Sequence, residues 1–205
     1  MRRLLKFLRN IFRPSYWRIN NKLFKESWDY DMRFNASFRG IPTMTNRELS
    51  MPQYKYLWLY RKTQAAANTI WYQYLYNRLV RESYRTNIGL YENMNIPKGL
   101  IIGHPGDIVV NGEAKFDGNI FITHGVTIGR DIRGKRAGTP HFGKNVVIRC
   151  NSTVVGKINI GNDVLIAPNT FVNFDVPSHS VVIGNPATIH HRDNATEGHI
   201  GIVNE

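Results

Sequence analysis

Between Phe142 and Val176 a large apolar residue returns at every sixth position, as Phe142, Ile148, Val154, Ile160, Ile166 and Val172. Four places after each stands a second inward candidate: Val146, Ser152, Ile158, Val164, Thr170 and Val176. The position between holds Asn145, Asn151, Lys157, Asp163, Asn169 and Asp175. Asn and Asp tolerate the left-handed backbone conformation and bond their own turn, so they mark corners. A period of six with a corner in each repeat fits neither an α-helix nor an alternating hairpin strand. It predicts hexapeptide repeats stacked as a parallel β-helix around one continuous core.

Read backward, Leu90, Ile96, Ile102 and Ile108 lead four more repeats. Two extra residues then precede Phe116, which with Ile122 and Ile128 leads three others, thirteen repeats in all. Three repeats per triangular turn give a little over four turns, with faces about 4.8 Å apart. Between Ile128 and Phe142 the Gly-rich basic segment GRDIRGKRAGTPH breaks the period and is expected to leave the stack as a loop. Such insertions in solenoids usually lie on the binding face.

Upstream of the coil the pattern becomes helical. Residues 2–13 place Leu4, Leu8, Ile11 and Phe12 on one face and Arg2, Lys6, Arg9 and Arg13 on another, and Pro14 ends the segment. Such a helix is a candidate for an anionic membrane surface. Residues 15–50 are aromatic and irregular and yield no assignment. From Pro52 to about Tyr84, Leu57, Tyr60, Ala67, Trp71, Tyr74, Leu75 and Leu79 recur at helical spacing and predict one helix that covers the open end of the coil. The division expected is 1–88 as a basic, aromatic helical region, 89–191 as the β-helix and 192–205 as a tail.

Charge sharpens this division. The formal charge is +12, and residues 1–88 carry 17 Lys and Arg against 5 Asp and Glu, so the remainder is neutral. Aromatics interleaved with arginine at helical spacing read as packing, so no nucleic-acid partner is expected. Cys150 is the only cysteine, which excludes an intramolecular disulfide and favours the cytoplasm. No apolar run reaches the roughly 18 residues needed to span a bilayer. Lys6 and Arg9 interrupt the apolar stretch a signal peptide needs.

The repeat also aligns chemistry. His104 stands two places after Ile102, His124 two after Ile122 and Cys150 two after Ile148, so the three should share one column. Arg130, Arg133, Lys135 and Arg136 in the loop are candidates for a phosphate-bearing ligand. His104, His124 and Cys150 are zinc-ligand types, but a column along one direction does not surround an ion, and no metal is expected.

The segments GLIIGHPGDIVVNGEAKFDGNIFITHGVTIG and FGKNVVIRCNSTVVGKINIGNDVLIAPNTFVNFDVPSHSVVIGNPA resemble the serine acetyltransferase branch of the left-handed β-helix acyltransferases, over about Thr86 to His191. The resemblance implies left-handed winding, homotrimers with sites between neighbouring coils, and acetyl-CoA as the acetyl donor. It places a general base at His104, with His124 beside it in the catalytic column. Coenzyme A contacts would fall at Gly129, Arg130, Arg133, Lys135, Arg136, Lys157 and Asn185. Substrate contacts would fall at Glu92, Asp107, Thr139 and His141, and Glu92, Asp107 and Glu113 are the carboxylates that could orient His104. The chain departs from serine acetyltransferases where an aspartate aligns with Gly89, an acidic residue with Gly103 and a histidine with Thr139. These departures direct the expectation toward relatives that acetylate sugars in capsule, exopolysaccharide or lipopolysaccharide synthesis. The acceptor expected is thus a saccharide, serine is the alternative, and a non-catalytic hexapeptide scaffold is the third reading. The location expected is the cytoplasm, with residues 2–13 as a contact to the inner face of the cell membrane.

Overall fold

The computed structural model describes residues 13–91, 93–94 and 96–202. Fourteen short strands form the coil among these residues: β1 (Ile88–Gly89), β2 (Leu100–Ile102), β3 (Ile108–Val110), β4 (Lys115–Phe116), β5 (Ile120–Ile122), β6 (Thr127–Gly129), β7 (His141–Phe142), β8 (Val146–Ile148), β9 (Thr153–Val155), β10 (Asn159–Ile160), β11 (Val164–Ile166), β12 (Phe171–Val172), β13 (Ser180–Gly184) and β14 (Ala187–His191). They stack as three sheets in the orders β1-β3-β6-β9-β12, β2-β5-β8-β11-β13-β14 and β4-β7-β10. Every pair is parallel except the closing β13–β14 hairpin.

The lead residues form the inner rows. Ile102, Ile122, Ile148, Ile166 and Val182 lie in register on one sheet, and Val110, Ile128, Val154 and Val172 on the next. Phe116, Phe142 and Ile160 form the third row, with the two phenyl rings stacked at 5.1 Å. All are buried. The corners adopt the left-handed backbone expected at Asn145, Asn151, Asp163 and Asn169. Gly125 shows how tightly they stack, because a Cβ there would fall 2.1 Å from Oδ1 of Asn151.

Two details of phase differ from the sequence reading. Val110, rather than Ile108, pairs with Ile128, and Ile108 pairs with Ile88. The two extra residues therefore lie between Ile102 and Val110, at the corner that carries His104, and not after Ile108. Ile108 and Val110 are both apolar and buried, so hydrophobicity could not choose between them. At the far end Ile160 bridges to Val176, and Ile166 pairs with Val182. The last turn is two residues short, and Val176 takes a lead position instead of the secondary one.

Residues 15–50 are largely helical. Helix α1 (Asn21–Arg39) begins at Asn20, whose side chain accepts the Leu23 N–H, and ends at Gly40 in the left-handed conformation. It packs Tyr30, Phe34 and Phe38 on the outer row Ile101, Phe121, Val147 and Leu165. That sheet is thus apolar on both faces, as its triplets LII, IFI, VVI and VLI require. A short helix α2 (Asn46–Leu49) follows, with a Thr45–Glu48 capping box.

The single helix expected over residues 52–84 is two, α3 (Pro52–Ala65) and α4 (Tyr72–Thr86). Asn68, in the left-handed conformation, and the Thr69 hydroxyl bonded to the Ala66 carbonyl turn the chain between them. The helices cover the first turn as expected, and the cover is polar as well as apolar. The Tyr56 hydroxyl sits between the N–H and C=O of Leu90, and Tyr60 donates to the Met94 carbonyl. Asp31 and Arg61, both buried, form a two-pronged ion pair. Asp31 also accepts the N–H groups of Gly99 and Leu100, while Arg61 donates to the carbonyls of Ile96 and Pro97. The pair thereby satisfies the backbone at the open edge of the coil.

After β14 the chain folds back over the corner column of Asp163. That carboxylate accepts from the Thr196 hydroxyl and from the N–H groups of Ala195 and Thr196. The segment ends with the Ile202 N–H on the Ser37 hydroxyl of α1. The amphipathic helix expected over residues 2–13 lies, Arg13 apart, outside the described residues. No helix among the described residues is long and apolar enough to cross a membrane.

Candidate functional site

The extra residues at the first corner push His104 outward on the segment Gly103–Asp107. The Gly103 N–H remains bonded to the Ile122 carbonyl, and the Gly106 carbonyl receives the Gly125 N–H, so the bulge is pinned on both sides. Asp107 closes it in the left-handed conformation, its carboxylate accepting 3.3 Å from the Asn87 amide. His104 and His124 are both exposed. Their rings meet edge to face with centroids 6.0 Å apart, one turn apart in the column that the registers of Ile102, Ile122 and Ile148 define. Cys150 continues that column and is partly exposed.

Gly103 is enforced by packing. A Cβ there would lie 2.7 Å from the Phe121 ring and 3.0 Å from the Thr123 methyl. Phe121 is itself wedged against Phe38 at 4.7 Å. No acidic side chain fits immediately before His104 while that wedge stands. Gly89, where an aspartate would align, lies in β1 with its Cβ position 3.3 Å from the Ile108 carbonyl. Of the carboxylates considered for orienting His104, Asp107 is held by Asn87 and Glu113 pairs with Arg130 at 3.4 Å. Glu92 lies outside the described residues.

The loop after β6 emerges at a different corner. Asp131 and Gly138 bridge its two arms with reciprocal backbone hydrogen bonds, and the Asp131 carboxylate caps the Arg133 N–H. The Arg136 guanidinium donates to the Asn173 carbonyl, and its own carbonyl accepts from the Lys157 N–H. Gly129, Arg130, Arg133, Lys135, Arg136 and Lys157 therefore gather at one corner. Arg130 and Arg136 are engaged there, whereas the side chains of Arg133 and Lys135 are exposed and make no ion pair among the described residues.

Thr139 and His141 also belong to that side, away from the histidine column. The Thr139 hydroxyl donates to the Glu113 carbonyl. His141 Nε2 lies 2.8 Å from Asp117 Oδ1, a pair absent from the sequence-based expectations, since the register partner of His141 is Lys115, two residues before Asp117. Asn185, at the β13–β14 turn, lies at the foot of the histidine corner. Four strand spacings, about 19 Å, separate it from His104. One chain thus brings together His104 and His124, with Asp107 closing the same bulge but bonded to Asn87, and separately the basic loop with Thr139 and His141. It does not join the two groups.

A three-sided parallel coil under an N-terminal helical cover, with paired imidazoles at a bulged corner and a basic loop at the next, defines a hexapeptide-repeat β-helix. No family model matches the chain. The curated relatives it matches are named serine acetyltransferases. Serine acetyltransferase 2 of Arabidopsis thaliana is 35% identical over 104 residues, covering 50% of this chain and 32% of that protein. The serine acetyltransferase of Helicobacter pylori is 32% identical over 102 residues, or 50% of this chain and 60% of that protein. That of Staphylococcus aureus is 36% identical over 115 residues, or 55% and 53% respectively. The chain thus spans about a third to three fifths of the length of these relatives. Among solved structures, Brucella abortus serine acetyltransferase in complex with coenzyme A superposes with a TM-score of 0.71 at 21% identity, covering 84% of this chain and 69% of that one. The Neisseria gonorrhoeae serine acetyltransferase in complex with serine gives 0.67 at 24%, covering 83% and 70%. These likenesses establish the fold. The names of the matched relatives overturn the expectation of a capsule, exopolysaccharide or lipopolysaccharide acetyltransferase with a saccharide acceptor.

Proposed function

We propose that the chain is an acetyl-CoA-dependent O-acetyltransferase whose acceptor is serine. The observation that carries this reading is the exposed imidazole pair, 6.0 Å apart, in a chain about half of which is 32–36% identical to proteins named serine acetyltransferase. A ring nitrogen of His104 takes the proton of the serine hydroxyl as that oxygen attacks the thioester carbonyl. Backbone N–H groups stabilise the oxyanion that forms. The C–S bond then breaks, the imidazolium returns its proton to the sulfur, and O-acetylserine and free coenzyme A leave. No acyl group passes through the protein, so Cys150 has no chemical step to perform.

Arg133 and Lys135, exposed on a loop with an ordered backbone, suit the phosphates of coenzyme A. Left-handed winding and homotrimeric assembly belong to the same proposal. Thr139 and His141 lie at another corner from His104, so they can join it at one acceptor only from a neighbouring coil. The test is release of free coenzyme A from acetyl-CoA with serine as the acceptor. His104→Ala should lower the rate by about 10²–10⁴ with an unchanged far-UV circular dichroism spectrum. Absence of serine-dependent release from folded wild-type protein refutes the acceptor, and full activity of the variant refutes the base.

A further inference from the structure

We propose that the outer stripe of α4 docks on an anionic lipid surface. Trp71, Tyr74, Arg78, Arg81 and Arg85 recur at spacings of three and four, so they form one line along the helix. All five are exposed. The face beside this line packs on the protein through Leu75, Leu79 and Glu82, all buried, and Glu82 is neutralised there by Lys55 and by Arg85 of the line itself. The outward arc of α4 carries no acidic residue. The Arg78 guanidinium carbon lies 5.9 Å from the centroid of the Tyr74 ring, and neither Arg78 nor Arg81 has an ion-pair partner among the described residues.

Two indoles close the N-terminal end of this stripe. Trp71 donates its ring N–H to the Trp17 carbonyl, and the Ile70 N–H bonds the Tyr16 carbonyl. Trp17 and Trp71 are each 46% exposed, and Tyr74 is 58% exposed. Tryptophan and tyrosine favour the level of lipid headgroups, where an apolar ring and a polar edge are both accommodated. Exposed Arg13 and Arg18 stand on either side of Trp17 in the chain and add positive charge at this end.

Charge complementarity selects an anionic occupant, and the aromatic end of the line selects lipid. Over about 22 Å the line joins Trp and Tyr, which settle at headgroup level, to arginines that pair with anionic headgroups, whereas duplex nucleic acid offers those rings no apolar layer. This proposal is independent of the acetyl-transfer reading, because none of these residues belongs to either corner described above.

The experiment is co-sedimentation of the full chain with vesicles of phosphatidylcholine alone or with phosphatidylglycerol added, at about 0.1 M salt. Wild type should bind only the vesicles that contain phosphatidylglycerol. Near such a surface each cation contributes a factor of about five, so Arg78→Gln with Arg81→Gln should weaken binding roughly 30-fold. Arg78→Lys with Arg81→Lys should preserve it. Both pairs change exposed side chains, and matching thermal melts establish that they fold. Equal binding to phosphatidylcholine alone, or undiminished binding by the glutamine pair, overturns the proposal. So does binding to duplex DNA as strong as to the anionic vesicles with the same arginine dependence.

Discussion

Replacing Gly103 by alanine inserts one methyl group between the His104 corner and Phe121. The new Cβ would stand 2.7 Å from the Phe121 ring and 3.0 Å from the Thr123 methyl, inside the distance at which carbon atoms repel. The ring cannot yield cheaply, since Phe38 holds its edge at 4.7 Å and the row Ile101, Phe121, Val147 and Leu165 is closed by α1. The backbone cannot yield either, because the Gly103 N–H is bonded to Ile122. Overpacking of this kind costs about 1–3 kcal/mol. Urea unfolding followed by far-UV circular dichroism should report that loss for Gly103→Ala, with an unchanged slope. Phe121→Leu removes the obstructing ring at a cost of its own, and in that background Gly103→Ala should lose most of its penalty. The non-additivity of the double-mutant cycle measures the contact. A Gly103→Ala variant within about 0.5 kcal/mol of wild type refutes the steric account, as does an equal penalty in both backgrounds.

Removing one partner of the buried Asp31–Arg61 pair strands the other and frees backbone groups at the edge of the coil. Arg61→Met should therefore cost about 3–5 kcal/mol in the same unfolding assay, and a loss under 1 kcal/mol would contradict the capping role. On the proposed reading of the loop, Arg133→Ser combined with Lys135→Ser should raise KM for acetyl-CoA by up to about tenfold, since exposed ion pairs are individually weak. With kcat unchanged, the loss is of uniform binding, and an unchanged KM would remove both residues from the coenzyme site. Acid should loosen the segment 192–202 in two steps. Burial, then Arg149 and Arg192, hold the His199 imidazole below its ordinary 6.5, so the unfolded state takes up the proton first. Its contribution is complete above about pH 6.5 and is lost as pH falls through the folded value. Partial burial alone would raise the Asp163 carboxyl, but hydrogen bonds from Thr196, His179 and Ala195 outweigh it and hold the group below its ordinary 3.8. That second contribution is present above about pH 3.8 and is lost below it, through the lowered folded value. Hydrogen exchange of residues 192–202 at decreasing pH should show both losses, and His199→Gln should abolish only the first. Protection that rises in acid would contradict the assignment.

The acceptor expectation failed for a specific reason. In the sequence Gly89, Gly103 and Thr139 read as losses of serine-binding chemistry, yet Gly103 is glycine because Phe121 occupies the space a side chain would need. Phe121 in turn faces outward to meet α1, a helix whose aromatic, irregular sequence shows no clear period. A departure from a family pattern can therefore report packing as well as substrate.

The six-residue period was legible without coordinates because each turn of the coil repeats the same local demand, an apolar residue inward and a corner three places later. From that period came the inner rows, the ejected loop and the alignment of His104, His124 and Cys150. Regular stacking carries local pattern directly into position, so these features needed no knowledge of distant segments. The choice between Ile108 and Val110 did, since both are buried and only pairing with Ile88 and Ile128 separates them. So did the covering of the outer row by Phe34 and Phe38, and the closing of the first turn by Asp31 with Arg61. Each of the last two joins residues at least 30 positions apart through packing or a buried charge pair, and such contacts leave no periodic trace in the chain.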